Sequence, residues 1–149
     1  MTIRGDSQEY ELLSKWCSTL PFFEKPKSVT TCEIGVREGL GSKLIMMGIK
    51  ERIGKTPYAH IGIDPYANLK YQHYDDREPE TADYTDEMRA RMVKDFAGEK
   101  NFNFYHFTDR YFMNLFNLTS VVFDLVHFDG PHMTRDVMRE ALWFADRAR

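Results

Sequence analysis

Glu33, Gly35, Gly39, Gly41 and Ser42 lie in one ten-residue run, Glu33-Ile-Gly-Val-Arg-Glu-Gly-Leu-Gly-Ser42, which puts an acid and three glycines where a β-branched apolar stretch changes to helical spacing. Glycine lets a backbone turn tightly and lets a ligand approach where a Cβ would collide. The amides at the start of the following helix face that ligand, so the run reads as a cofactor loop. Three further polar sets, Asp64, Thr108-Asp109 and Asp129-Gly130, each close another apolar or alternating stretch. Asp64 stands 25 residues beyond Gly39, where an acid closing a second strand accepts both hydroxyls of a ribose, a spacing that suits an adenosine cofactor. The glycine pattern, G-x-x-x-G-x-G, differs from the G-x-G-x-x-G of dinucleotide pyrophosphate loops. Asp129 and His132 are the candidates for catalysis, since an ordinary imidazole titrates near neutrality.

The elements that must position these groups follow from periodicity. Asp6 and Glu9 resemble a capping box, and Tyr10, Leu13, Trp16, Cys17 and Leu20 form the inward stripe of a first helix. A strand over residues 29–34, a helix from Leu40 to Ile53 and a strand over 58–64 come next. Residues 65–83 are polar, rich in tyrosine and too long for an ordinary connection, which predicts a lid or ordered insertion. Met88, Met92 and Phe96 mark another helix. Residues 101–106 alternate like an edge strand, 109–118 read as a helix, and 121–129 are apolar on both faces like an interior strand. Thr134 is placed to cap a last helix whose Val137, Met138, Ala141, Leu142 and Ala145 turn inward. Strands alternating with helices imply an α/β fold with right-handed crossovers and a mostly parallel sheet.

The totals bound the rest. A chain of 149 residues, 42% hydrophobic, supports one packed domain. The net charge of −3 leaves no electrostatic footprint for nucleic acid, and Arg135, Arg139, Arg147 and Arg149 read as a solvated face. No apolar run reaches the length of a membrane span, and no secretory signal is evident, so a cytoplasmic protein with Cys17 and Cys32 as reduced thiols is expected.

Three segments together make the chain resemble a class I S-adenosylmethionine-dependent methyltransferase of the small-molecule type with D-G-x-H after the fourth strand: Cys32 to Ser42, Ile61-Gly-Ile-Asp-Pro65 and Phe123 to His132. The resemblance implies a Rossmann-like three-layer sandwich with strand order 3-2-1-4, incomplete because the family's later strands do not follow. It implies that Gly35, Gly39, Gly41 and Ser42 lie along the amino-acid part of the cofactor, that Glu33 holds the loop or the ammonium group, and that Asp64 holds the ribose. Thr108 and Asp109 would border the adenine. Asp129 would contact the cofactor or a divalent metal such as Mg²⁺, although Pro131 stands where relatives often carry another oxygen ligand. The acceptor would be a small molecule. A fourth strand left as an open edge would pair with a second copy or another polypeptide. An assembly or binding module that holds the cofactor without turnover remains the alternative, and an NAD-dependent oxidoreductase is disfavoured by the glycine spacing.

Overall fold

Val29–Ile34 (β1), Tyr58–Ile63 (β2), Phe102–Tyr105 (β5) and Leu125–Phe128 (β6) form one parallel sheet in the order β5-β2-β1-β6, which is the expected 3-2-1-4 order counted over these four strands. The structure is a computed structural model that describes residues 10–22, 26–67, 69–130 and 132–149, the side chain of Glu11 excepted. The capping pair Asp6 and Glu9 and the variant position Pro131 lie outside the described residues. Tyr10–Ser18 (α1), Leu40–Ile53 (α2) and Asp86–Asp95 (α3) cover one face of the sheet, and Asp109–Leu115 (α4) and Thr134–Ala145 (α5) the other. The chain is therefore an incomplete Rossmann-like α/β fold.

Alternation along each strand divides the core. Cys32, Ile34, Ile61 and Ile63 point to α4 and α5 and pack with Phe112, Phe123 and Phe144. On the opposite face Val29 joins Leu13, Cys17, Ile45 and Ile49, while Val36, Met46, Tyr66, Met92 and Phe96 fill the space under α3. Both cysteines are buried free thiols. No helix among the described residues is long and apolar enough to cross a membrane.

Four expectations are corrected. Trp16 is 59% exposed, because Leu13 and Cys17, with Tyr10 packed beside them, form the buried stripe of α1. In α5, Met138 and Leu142 are 55% and 63% exposed, Ala145 faces solvent, and Glu140 and Phe144 turn inward instead. Glu140 faces Asp109 of α4 in that interior, on the same face as Phe144, which packs in the core with Phe112 and Phe123. Thr134 is the first residue of α5 rather than its cap. Its amide and hydroxyl both donate to Asp75, at 3.0 and 2.5 Å. The fourth strand spans only Leu125–Phe128, half-buried throughout because it lies at the edge of the sheet.

Residues 65–83 form the anticipated ordered insertion. Lys70–Tyr71 (β3) pairs antiparallel with Glu80–Thr81 (β4). The tip between them reaches α5 through Asp75 and through His132, whose amide donates to the His73 carbonyl at 2.7 Å.

Candidate functional site

The loop after β1 is shaped by close contacts within the chain. Gly35 has φ +88°, and a Cβ there would overlap the Asp129 carbonyl. Gly39, φ +86°, begins α2 in the left-handed region, where a Cβ would strike the Phe96 ring. At Gly41 a Cβ would overlap Glu33 Oε1. Each missing side chain therefore makes room for another part of the protein. The first turn of α2 has no side-chain cap and no acid, so its amide end is left without a countercharge from that turn.

Asp64 ends β2 almost fully buried, 1% exposed. The Arg37 amide donates to its Oδ2 at 2.9 Å and the Tyr66 amide to its Oδ1 at 2.8 Å, with a further backbone bond from Val36. Burial pushes its pKa up, opposed by these amides and by His106. An ionised carboxylate offers about four acceptor sites, so three amides leave roughly one for a ligand. Arg37 and Tyr66 take positive φ, 49° and 44°, and the Tyr66 hydroxyl donates to the Arg37 carbonyl. The strained residues are thus held around one carboxylate.

Glu33, also 1% exposed, points to the α1–α2 face. Ser42 donates to its Oε2 at 2.5 Å, and His127 Nδ1 lies 3.0 Å from its Oε1. Parallel register makes this contact, since Glu33 stands opposite His127 across β1 and β6. Burial pushes the Glu33 pKa up, with His127 and Ser42 pulling it down. Burial alone would lower that of His127, but Glu33 and Asp129 outweigh it and raise the value. The Tyr10 hydroxyl donates to Asp129 Oδ2. Glu33, His127 and Asp129 each offer a potential ligand atom within 4.8 Å of the others.

A cleft of about 260 Å³ opens at the carboxyl ends of the strands. Gly35, Asp64, Thr108, Asp109, Asp129 and Gly130 line it together with the apolar strand ends Ile34 and Ile63, and Tyr71 of the insertion and Tyr84 just after it border it. Glu33, Gly39, Gly41 and Ser42 do not line this cleft; they stand behind the loop and support it. His132 is exposed and packs against His73 and Tyr74, with ring centroids 4.8 and 5.5 Å away. Thr108 caps α4 by accepting from the Tyr111 amide at 3.2 Å, and Asp109 binds Arg139 at 2.7 Å.

Sequence reasoning missed His60, His127, Tyr10 and Asp75. A single histidine inside a strand carries no spacing signal, and the contacts of Tyr10 and Asp75 span 119 and 59 residues. The available signal was alternation: Thr31 and Glu33 share a phase with each other, and His60 and His127 with their partners across the sheet. Comparison with protein-family models and with curated proteins gives no match to this chain.

Proposed function

We propose that this chain is the cofactor-binding part of a class I S-adenosylmethionine-dependent methyltransferase that acts on a small-molecule acceptor in the cytoplasm. One observation carries the reading: a single cleft of about 260 Å³ gathers Gly35, Asp64, Thr108, Asp109 and Asp129 from four strand ends. Ligands of parallel α/β sheets collect at such a crevice. Its apolar walls with a few convergent polar groups suit an adenosyl group in character and order of size.

The cofactor supplies an electrophilic methyl group on a positively charged sulfur. The work of the chain is then positioning, which accounts for much of the rate when a nucleophile must be held in line. Asp64 keeps one acceptor site for a ribose hydroxyl, Thr108 and Asp109 border the base, and Asp129 sets negative charge beside Gly35 for an ammonium group. The start of α2, which has no acid in its own first turn, favours the cofactor carboxylate. Of the two groups proposed to take the proton of the acceptor, Asp129 lines the cleft, whereas His132 packs outside its lining against His73 and Tyr74. Magnesium prefers an octahedron of oxygens, whereas Asp129 shares its end of the sheet with an imidazole and already accepts from Tyr10. That donor set does not fit Mg²⁺, and no step is assigned to a metal.

Calorimetry of the chain with S-adenosylhomocysteine and with NAD tests the reading: the first is expected to bind and the second not. Binding of NAD alone would replace it with the oxidoreductase reading. Methyl release from labelled cofactor across candidate acceptors separates an enzyme from a binding module. The partner proposed for β6 is a second copy or another polypeptide, supported by the exposed Met138 and Leu142 on the neighbouring helix.

A further inference from the structure

A continuous hydrogen-bonded chain crosses the buried α1–α2 face of the sheet. Tyr58 Oη lies 2.8 Å from Thr31 Oγ1, which lies 2.7 Å from His60 Nδ1; His60 Nε2 is 3.0 Å from Ser42 Oγ, which donates to Glu33 Oε2. Thr31, His60 and Ser42 are 0% exposed, and His60 stacks on Phe102 of β5, centroids 5.8 Å apart. Register accounts for the alignment, with Thr31 opposite His60 and Glu33 opposite His127.

The direction of the chain follows from its end. An ionised carboxylate only accepts, so Ser42 donates to Glu33 and must accept from His60. His60 then carries its hydrogen on Nε2, Nδ1 accepts from Thr31, and Thr31 accepts from Tyr58. Every donor points toward Glu33. His127, held by Glu33 and Asp129, keeps its Nδ1 hydrogen on Oε1, so a proton arriving at Glu33 goes to Oε2 and reverses the chain, moving the His60 hydrogen to Nδ1.

We infer that His60 is a positioning residue for Glu33: through Ser42 it orients the carboxylate that braces the cofactor loop, and its tautomer follows the charge on that carboxylate. For the loop's role the inference rests on the methyltransferase reading; the tautomer coupling does not. The charged and titratable groups facing the chain are Glu33, His127 and Asp129 at one end, Tyr10 and Cys17 from α1, and Tyr58 from β2. Burial, reinforced by His127, lowers the His60 value to about 3, so the ring stays neutral while Glu33 titrates.

Imidazole nitrogen NMR on histidine-labelled full-length chain, with the Glu33 carboxyl followed by carbon NMR, tests this. The expected result is an Nε2–H tautomer at pH 8 that shifts toward Nδ1–H, without imidazolium, as Glu33 takes up its proton, and no shift in Ser42→Ala. An Nδ1–H tautomer at pH 8, a tautomer indifferent to Glu33, or an unchanged response in Ser42→Ala would overturn it. No variant is needed for the first two readings. S-adenosylhomocysteine affinity at neutral pH is expected to fall severalfold in Thr31→Val, with the pH midpoint of binding displaced, and to recover in Thr31→Ser. If Thr31→Val binds like the parent, the link to the loop is wrong. Absence of binding by the parent chain overturns the methyltransferase reading instead, while the NMR result still decides the coupling.

Discussion

Asp64 anchors its own loop, and that role constrains the ribose contact proposed for it. Three backbone amides converge on its carboxylate, so Asp64→Asn turns an amide donor toward a backbone donor. A loss of about 1–3 kcal/mol of stability is expected without any ligand, measured by denaturant unfolding, together with weaker S-adenosylhomocysteine binding. An unchanged unfolding midpoint would show that the loop does not need this anchor. Gly35→Ala combines a left-handed φ with overlap on the Asp129 carbonyl and is expected to cost more than about 2 kcal/mol by the same measurement. Glu140 gives a pH signature. Burial first, then Asp109, raises its pKa from 4.5 to about 8, so the stability its neutral form contributes is complete below about pH 4.5 and is lost as pH rises toward 8. Glu140→Gln imitates the neutral form. Between those limits the parent should lose on the order of 2 kcal/mol relative to the variant, allowing for solvent screening. Parallel stability curves for the two proteins would contradict the assignment.

At the scale of elements, the insertion and α5 depend on each other. The N-cap position of α5, Met133, provides no side-chain bond, and Asp75 from the insertion supplies what a capping residue would, accepting from both the amide and hydroxyl of Thr134. The same contact holds the ribbon β3–β4 beside the cleft that Tyr71 borders. Asp75→Ala is therefore expected to speed hydrogen exchange in two places at once, the first turn of α5 and residues 70–81, with a lower melting temperature. Faster exchange in only one of them would mean that the two elements are not coupled. The inward turn of Glu140 in α5 belongs to this scale as well: Phe144, one turn further on, packs against Phe123 and Phe128 and carries Glu140 inward on the same face.

For the whole molecule, the question is the outer side of β6. Its residues have the composition of an interior strand, yet they are half-buried at the edge of the sheet. Part of that edge is met by the chain itself: Phe123 pairs in parallel with Ala148, and Arg149 clasps Asp124 at 2.9 and 2.7 Å. A groove lined by Leu13, Trp16, Leu125 and Val126 lies beside the remainder. Light scattering across a dilution series is expected to detect association, weakened by Leu142→Lys on the exposed face of α5. A soluble monomer at every concentration would remove the case for self-pairing.

Read by itself, the chain determined its layer order and the strand ends at which its polar groups gather, because strand and helix periods, turn glycines and acids at strand ends are local facts. The match of α2 from Leu40 to Ile53 and of β1 from Val29 to Ile34 rests on that. Tertiary structure decided the assignment of each polar group. Gly41 yields space to Glu33, Asp64 anchors the loop, and His60 and His127 become partners of Thr31, Ser42 and Glu33, through parallel register and crossover packing that bring residues up to 94 positions apart into hydrogen-bond range. Local pattern records the face on which a side chain lies; only the register of neighbouring strands settles which group it meets there.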